Sequence, residues 1–469
     1  MKRLTQLITG PALFGLAFLI PLSNVQCSTI GIIAWMIAWW VGRPIPIGAT
    51  SLLPMILFPM AGVGTLKEVA TNYAHPIIYL FFGGFILGLA IEKWSLHKRF
   101  SLSILKRSGN NPKRIILAGM LATSVMSMWI SNTASTLMML PIGISMIELL
   151  ESRLADKGSR INFGICLLLG LAYAANVGGM TTLIGTPPNL VLAAFAQESL
   201  DIEIGFSTWF IMALPLVAIL FFLAYLVLTK LVFPIKGTPI EGVKQLVHDE
   251  FEKLGKPGIA EKRVQLVFLS TALLWIFRAQ LNKIPGFDFL NDSIIAVLSA
   301  VSLFIIPDGK GKALMNWSDT KKLPWDILLL FGGGLSIASM IKASGLVEEV
   351  GTLIGSGDSY TWILLILFLT ALAIFLTEGM SNLALVSVLI PVLFTVAPLL
   401  GGDPLELAIP VTLAASCAFM LPIATPPNAI VFSSERMTMP NMIQAGFVMN
   451  LICIIIIAVY TFMVVPLLF

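Results

Sequence analysis

Two short segments of this chain carry residue types that can bind small ions at the ends of helices. Ser131-Asn132-Thr133 and Thr186-Pro187-Pro188-Asn189 each lie inside a long apolar stretch. Serine, threonine and asparagine are preferred N-caps of α-helices, and proline suits the first helical position because its missing N–H is not needed there. Each segment therefore predicts an interruption at which one helix ends and another begins.

Both segments occur a second time, in the same order. Ser381-Asn382-Leu383 lies 250 positions after the first serine motif, and Thr425-Pro426-Pro427-Asn428 lies 239 positions after the first threonine motif. Upstream of each pair, the apolar residues 80–84 match residues 330–334, and both stretches contain adjacent glycines. Repetition of three markers in one order predicts a duplicated structural unit.

The predicted interruptions offer partners to both anions and cations. Each new helix presents free backbone N–H groups and a partial positive charge, which suit an anion. The helices that end there leave carbonyl groups unpaired at residues 127–130, Gly185, 377–380 and Ala424. Such carbonyls, together with Ser, Thr and Asn oxygens, suit a hard monovalent cation such as Na⁺.

Composition places these motifs in a membrane. The mean hydropathy is +0.93, with 57% hydrophobic and 12% charged residues, which is far from the usage of soluble domains. Residues 161–197, 206–229 and 444–469 contain no charge at all, and each exceeds the ~20 residues that span a bilayer as a helix. The four cysteines have no metal-ligand spacing and are interpreted as small helix residues.

The order of apolar segments predicts an all-α polytopic membrane protein with eleven transmembrane helices and two re-entrant hairpins. The basic start Lys2-Arg3 could open a signal peptide, but no small-residue cleavage site follows the apolar stretch, so a retained helix is predicted. The predicted spans lie near 2–22, 28–42, 45–62, 76–93, 161–197, 208–233, 264–282, 293–307, 325–343, 405–432 and 441–468.

Hairpins are predicted where the apolar arms are short. Residues 115–149 read as two helices of about 15 residues, and at ~1.5 Å per residue each reaches only ~22 Å of a ~30 Å hydrocarbon core. Residues 361–400 predict a second hairpin. The amphipathic stretch 94–114 predicts an interfacial helix, with a plain basic loop as the alternative, and 344–359 predicts its counterpart.

Basic residues predict the sidedness. In this topology all of the 29 lysines and arginines except Lys67, Arg278, Lys283 and Lys342 lie on the face that holds the N-terminus. The positive-inside rule then predicts a cytoplasmic N-terminus and an external C-terminus in a plasma (inner) membrane. The second unit enters from the opposite face, so the repeats are predicted to be inverted, as in many secondary transporters.

The interruptions lack fixed positive charge. No lysine or arginine lies in either predicted hairpin or broken span, so a bound dianion would need co-bound cations to offset its desolvation cost. This requirement favours cation symport. Glu378 is an acidic residue near the second tip, and two roles stay open for it: a proton or cation participant, or a hydrogen-bond acceptor that stabilises the hairpin tip.

With its paired motifs, the chain resembles the divalent anion/sodium symporter family, whose members carry dicarboxylates, citrate or sulfate. The resemblance spans essentially the whole length. It implies a homodimer, surrounded by membrane lipid, in which a mobile transport part moves across the membrane past a scaffold, as in an elevator. The implied parts are 1–114 (scaffold helices and interfacial helix), 115–233 (transport), 234–263 (cytoplasmic linker), 264–360 (scaffold) and 361–469 (transport).

The resemblance also implies where the ligands bind. One Na⁺ would lie near Ser127, Ser131, Asn132 and Gly185, and a second near Thr377, Met380, Asn382 and Ala424, with two or more ions moved per cycle. The substrate carboxylates would meet Ser131, Asn132, Thr133, Thr186, Ser381, Asn382, Leu383 and Thr425. Leu383 departs from the threonine that many dicarboxylate carriers have, which removes a hydroxyl and adds apolar bulk.

The sequence therefore predicts a Na⁺-coupled symporter of a C4-dicarboxylate such as succinate or malate, with no enzymatic activity and no nucleic-acid partner. A dicarboxylate exchanger, or a citrate or sulfate symporter, is the alternative within the family. A channel would not need duplicated hairpins. An intramembrane hydrolase would need a paired nucleophile and base within the spans, whereas His75, His97 and His248 lie near span ends or in the linker. The adjacent glycines are expected to serve close helix packing.

Overall fold

The structure, a computed structural model, describes residues 2–153, 157–235, 241–346 and 359–469. Within these ranges the regular structure is helical, apart from one isolated β-bridge between Pro307 and Ala313. The helices of the first half are α1 (Lys2–Ala17), α2 (Asn24–Gly42), α3 (Ile47–Thr50), α4 (Pro54–Met60), α5 (Leu66–Thr71), α6 (Pro76–Lys93), α7 (Leu96–Leu105), α8 (Pro112–Ser127), α9 (Asn132–Arg153), α10 (Lys157–Gly179), α11 (Pro187–Leu200) and α12 (Phe206–Leu226).

The linker and the second half continue the series. Their helices are α13 (Val243–Lys253), α14 (Ile259–Ile276), α15 (Arg278–Leu281), α16 (Asp292–Ile305), α17 (Trp325–Ala343), α18 (Ser359–Thr377), α19 (Asn382–Leu399), α20 (Pro404–Ala415), α21 (Pro426–Phe432) and α22 (Met439–Leu468). Short 3₁₀ or π turns at Asn72–Ala74, Val227–Val232 and Trp317–Lys322 extend or connect these helices.

Seven helical segments in the described ranges are long and apolar enough to cross a membrane. They are Asn24–Gly42, Leu66–Lys93, Arg160–Gly179, Phe206–Val232, Trp325–Ala343, Asn382–Leu399 and Met439–Leu468. Four shorter apolar segments accompany them, among them Ile47–Met60, which forms two short helices because Pro54 interrupts the predicted span. The all-helical membrane fold is thus confirmed, while the count of eleven crossings and the two hairpins stay predictions.

The hairpin regions fold as pairs of helices around the serine motifs. α8 and α9 meet at residues 128–131, and α18 and α19 meet at residues 378–381. Each second arm begins at the asparagine of its motif, directly after the serine that serves as its N-cap. α9 has 22 residues instead of about 15, since it continues past the predicted end at residue 149 into polar sequence.

The repeated glycines lie where helices approach closely, as predicted. A Cβ atom added to Gly83 of α6 would lie 2.4 Å from the carbonyl oxygen of Ala296 in α16. One added to Gly333 of α17 would lie 2.8 Å from the carbonyl oxygen of Ser51. Both distances are far below van der Waals contact, so these helices can pack this closely only through glycine.

The predicted interfacial and linker segments dock on one another. Arg99 of α7 forms an ion pair with Glu261 of α14 and donates to the carbonyl of Gly255 at 3.0 Å, just beyond α13. Helix α13 lies within the predicted linker 234–263, of which residues 236–240 lie outside the described ranges. The second predicted interfacial stretch spans 344–359, and its residues 347–358 lie outside the described ranges as well.

Candidate functional site

The hydroxyl group of Ser127 connects the first hairpin tip to helix α10. Ser127 Oγ, fully buried at the end of α8, lies 2.6 Å from Asn132 Oδ1 and donates at 2.8 Å to the carbonyl of Ala175 in α10. Ser131 Oγ accepts from the backbone N–H of Ala134 at 3.2 Å and so caps α9. These contacts join the tip to α10 and orient the Asn132 side chain.

The second tip repeats this arrangement with a threonine. Thr377 Oγ1 lies 2.8 Å from Asn382 Oδ1 and 2.9 Å from the carbonyl oxygen of Ala415 in α20. The hydroxyls lie 250 positions apart, as do the asparagines, and the two carbonyl partners lie 240 positions apart. The sequence repeat is therefore also a repeat of hydrogen bonds.

The first helix break is organised by Asn189. α10 ends at Gly179 and α11 begins at Pro187, with Thr186 as its extended N-cap. Asn189 Nδ2 donates to the carbonyls of Thr182 at 2.8 Å and Met180 at 3.3 Å. The asparagine that ends the threonine motif thus pairs backbone carbonyls that the interrupted helix leaves free.

In the second break, Asn428 has the role that Asn189 has in the first. α20 ends at Ala415 and α21 begins at Pro426. Asn428 Nδ2 donates to the carbonyls of Ala418 at 3.0 Å and Leu421 at 3.1 Å. Thr425 Oγ1 accepts from the N–H of Asn428 at 3.3 Å, so the predicted cap forms here with its side chain. Thr186, in contrast, caps α11 without a side-chain hydrogen bond.

Oxygen atoms converge beside Gly185. A Cβ atom added to this residue would lie 2.4 Å from the carbonyl oxygen of Gly179 and 3.1 Å from that of Ser127. A Cβ added to Gly179 would lie 2.5 Å from Asn132 Oδ1. Neutral oxygens gathered around side-chain-free backbone are the donor set that suits Na⁺. The structure therefore brings together Ser127, Asn132 and Gly185, three of the residues predicted for the first cation.

The other predicted residues are distributed around the same two tips. Thr377 and Asn382 of the second cation set are hydrogen-bonded, Ala424 is buried and Met380 is half-buried. No side-chain hydrogen bond in the described ranges joins Thr133, Thr186 or Ser381 to another predicted site residue. Their exposure differs: Thr186 and Thr425 are buried, Ser131 is exposed, and Asn132, Thr133, Ser381, Asn382 and Leu383 are half-buried.

Leu383 differs from its counterpart Thr133 in its surroundings. Its half-buried side chain packs against both apolar clusters of the fold, including the one that α2, α4 and α17 form. A leucine at the tip therefore contributes apolar packing where a hydroxyl would offer a hydrogen bond.

Hydrogen bonds join the two halves of the site. Asn176, one residue after the Ala175 carbonyl that holds the first tip, donates through Nδ2 to Thr425 Oγ1 at 3.2 Å. Tyr173, one helical turn earlier, donates to the carbonyl of Phe419 at 3.0 Å. The first tip and the second break are thus connected through one face of α10.

Glu378 accepts hydrogen bonds from the second break. Its buried carboxylate receives the backbone N–H groups of Phe419, Met420 and Leu421 at 2.8 to 3.0 Å, and Nδ2 of Asn450 at 2.8 Å. Of the two roles left open by the sequence, the structure shows that of a hydrogen-bond acceptor. Three of its four donors lie in the second break and the fourth lies in α22, so the carboxylate fixes the break against the tip.

Sequence reasoning missed Asn176, Tyr173 and Asn450. Each is a polar residue within a charge-free apolar segment, and such residues usually have a polar partner in the protein interior. That signal could have singled them out. Their hydrogen-bond partners lie 72 to 249 positions away along the chain, so the sequence did not show which residue each of them would contact.

A cavity of about 650 Å³ opens beside the first hairpin. Ala134, Leu137 and Met138 of α9 form one wall, and the opposite wall includes the basic residues Lys93 and Lys98. Lys93 pairs with Asp319 at 2.7 Å at the rim. The lining also includes Lys322, Glu92 and Asp319, so three lysines face two carboxylates and the cavity has a small excess of positive charge.

A neutral histidine also lines this cavity. His97 is buried in α7, and its Nδ1 lies 3.0 Å from the carbonyl oxygen of Ile91. Burial lowers the pKa of His97 below its ordinary value, so the ring is uncharged at neutral pH. The positive charge of the cavity therefore comes from its lysines.

On another side of the first tip, aromatic rings fill the space. Trp129 at the tip packs edge-on against Phe268 of α14 at 4.8 Å between ring centroids and stacks on Phe206 of α12 at 5.9 Å. Phe206 in turn stacks on Trp275 at 4.8 Å. The tip is therefore flanked by a cavity next to Ala134 and by a packed aromatic cluster next to Trp129.

Comparison with known proteins identifies the family. The sequence profile described as the sodium:sulfate symporter transmembrane region matches residues 1–469. A protein of Staphylococcus saprophyticus named sodium-dependent dicarboxylate transporter SdcS is 39% identical over 475 residues, covering 99% of this chain and 92% of that protein. Its namesake from Staphylococcus aureus (strain USA300) is 38% identical over 477 residues, covering 99% and 91%.

Solved structures share the fold. Neisseria gonorrhoeae MtrF, described as illuminating a class of antimetabolite efflux pumps, superposes with a TM-score of 0.57 at 13% identity. The superposition covers 91% of this chain and 96% of that one. At such low identity the likeness concerns the fold alone.

Proposed function

Because this chain belongs to the sodium:sulfate symporter family, we propose that it imports a divalent organic anion together with Na⁺. It is an integral membrane protein and a transporter, not an enzyme. The names of its relatives, sodium-dependent dicarboxylate transporters, support a dicarboxylate as the substrate, and within this class we propose a C4-dicarboxylate such as succinate or malate.

One structural observation carries the proposal: the matched hydroxyl–asparagine pairs at the two tips. Ser127–Asn132 and Thr377–Asn382 present the same neutral oxygens on the two repeats. Two cations would bind there, one with the oxygens around Gly185 and one near Ala424 and Met380. They would supply the positive charge that the hairpin sequences lack, so the anion would bind well only after the cations.

The anion would lie between the tips. Helices α9 and α19 begin there and direct their free N–H groups and partial positive charge toward it. The side chains of Ser131, Asn132, Thr133, Ser381 and Asn382 would meet its carboxylates, with Thr186, Leu383 and Thr425 nearby. Ser131 and Asn132 are accessible, as a transient ligand requires.

Transport would follow an elevator movement in a homodimer. The part built from α8–α12 and α18–α22 would carry the site past the scaffold of α1–α6 and α14–α17. The cavity beside α9 is lined by both parts and would be the substrate path toward the cytoplasm, with the N-terminus on that face of the plasma membrane and the C-terminus outside. Cross-linking of the purified protein in lipid should trap a dimer.

Reconstituted vesicles test the function. Uptake of labelled succinate into proteoliposomes should require an inward Na⁺ gradient and should vanish when choline replaces Na⁺. Gradient-independent uptake would remove the coupling, and uptake only into vesicles preloaded with dicarboxylate would identify an exchanger. Competition by malate, citrate and sulfate then defines the substrate. Failure of every divalent anion to compete or accumulate would reject the proposed function.

A further inference from the structure

Asn176 of α10 is a buried amide that contacts the second break. Its side chain is 1% exposed, and its Nδ2 donates to Thr425 Oγ1 at 3.2 Å and to the carbonyl of Ala418 at 3.4 Å. A carbonyl oxygen can only accept, so the contact with Ala418 places the nitrogen of the amide, and not its oxygen, toward the break. Within the described part of the chain, Oδ1 has no hydrogen-bond partner. The hydrogen bonds of this side chain are therefore its donations to the second break.

The Thr425 hydroxyl accepts two hydrogen bonds. One comes from Asn176, and the other comes from the backbone N–H of Asn428 at 3.3 Å, at the start of α21. A hydroxyl oxygen has two acceptor positions and one hydrogen to donate. Both acceptor positions are occupied, and among the residues that the structure describes no acceptor takes the hydrogen. Thr425 can therefore bind a further partner only as a donor.

The first repeat lacks this arrangement. The position equivalent to Asn176 is Ser416, which lies 240 positions later, the offset that also relates the carbonyls of Ala175 and Ala415. Ser416 is buried, and its Oγ has no hydrogen-bond partner within the described ranges. Thr186, the counterpart of Thr425, caps α11 without a side-chain hydrogen bond. An amide therefore orients the hydroxyl of only one of the two breaks.

We infer that Asn176 is a positioning residue for the anion, which holds the Thr425 hydroxyl with its hydrogen available to a carboxylate oxygen. This inference rests on the proposed function, since it assumes that Thr425 lies beside the substrate. No lysine or arginine lies in the hairpins or broken spans, so hydrogen-bond donors must bind the carboxylates there. A donor that is oriented before the anion arrives loses little freedom on binding and so binds it more tightly.

The same amide fixes this donor relative to the first tip. Asn176 directly follows Ala175, whose carbonyl accepts the hydrogen bond of Ser127 at 2.8 Å. One turn of α10 thus connects the first tip with the hydroxyl of the second break. A substrate carboxylate that contacts both would find them at a fixed separation.

The succinate dependence of uptake into proteoliposomes, at saturating Na⁺, tests the inference. Asn176→Ala should raise the half-saturating succinate concentration about tenfold, because a hydrogen bond to a charged group contributes roughly this factor to a binding constant. The maximal rate should stay within about twofold, as expected when a binding contact is weakened and the transport step is not. Ala418 keeps the Asn428 amide as a donor at 3.0 Å in this variant, so its carbonyl does not lose its only partner.

Two companion variants separate orientation of the hydroxyl from structural support. Tyr173→Phe removes the other side-chain hydrogen bond from this face of α10, the donation to the Phe419 carbonyl, and leaves Thr425 unchanged. It should lower the Tm but keep the half-saturating succinate concentration within about twofold. Thr425→Val removes the hydroxyl at similar volume and should itself raise that concentration about tenfold. Adding Asn176→Ala to Thr425→Val should then give less than about a twofold further rise, because both changes remove the same hydrogen bond.

The outcomes separate the inference from the proposed function. A wild-type protein that takes up no divalent anion would reject the proposed function itself. With wild-type uptake intact, an unchanged half-saturating concentration in Asn176→Ala would overturn the inference. An equal rise in Tyr173→Phe, or a full additional tenfold rise when Asn176→Ala is combined with Thr425→Val, would also overturn it, since Asn176 would then be only a structural clamp. If Asn176→Ala does not fold, Asn176→Leu, which has nearly the volume of asparagine and no donor, takes its place with the same expected rise.

Discussion

Substitution of Gly185 by alanine should specifically weaken the first cation site. The added Cβ would lie 2.4 Å from the Gly179 carbonyl oxygen and 3.1 Å from that of Ser127, so the converging oxygens must move apart by several tenths of an ångström. Overpacking of this kind costs ~1–3 kcal/mol. The part of this cost that falls on the ion-bound arrangement alone lowers the affinity, and the full amount would correspond to about 5- to 150-fold in a binding constant. The residue is buried in the break and has no neighbour that could yield easily, because both contacts are to backbone.

The assay is Na⁺-dependent uptake of labelled succinate into proteoliposomes at saturating substrate. Gly185→Ala should raise the half-saturating Na⁺ concentration about tenfold or more. The matched control is Gly15→Ala in α1, where nothing lies within 4 Å of the added Cβ, and this variant should behave as wild type. Unchanged Na⁺ dependence of Gly185→Ala, with the variant normally folded, would show that the oxygens beside Gly185 do not bind the coupled cation.

Three further predictions test separate features. Asn132→Ala or Asn382→Ala should abolish succinate uptake without dissociating the dimer in cross-linking, and normal uptake by both would reject the predicted ligand site. Leu383→Thr should improve competition by small dicarboxylates relative to citrate, whereas an unchanged competition profile would show that this side chain faces away from the substrate. Arg99→Gln should destabilise the protein by ~3 kcal/mol in denaturant unfolding because Glu261 would stay buried without its partner. The exposed pair of Lys253 and Glu250 is the control, and Lys253→Gln should have little effect.

The positions of the helix interruptions could be predicted from the sequence because their causes are local. α9 and α19 begin directly after Ser131 and Ser381, and α11 and α21 begin at the first proline of each threonine motif. Capping and the missing proline N–H act within one turn, so they do not depend on which helix packs nearby. The family and the membrane class follow from these motifs and from composition.

The contacts between the repeats could not be predicted in this way. Asn176 meets Thr425, and Tyr173 meets Phe419, only because α10 packs beside the second break. The role of Glu378 was open for the same reason, since its donors include Asn450 at the far end of the chain. The ligand assignments at the tips stay predictions, which the cation and substrate experiments above test.

Helices of the first repeat pack against helices of the second, and this affects how the protein folds during synthesis. Helix α9 of the first hairpin packs against α21, and α11 of the first break packs against α19. Translation delivers α9 and α11 long before the ribosome reaches residues 382–432. The nascent first half must therefore wait in the bilayer with these faces uncovered, and a chain truncated within the linker should be a target for membrane quality control instead of a working half-transporter.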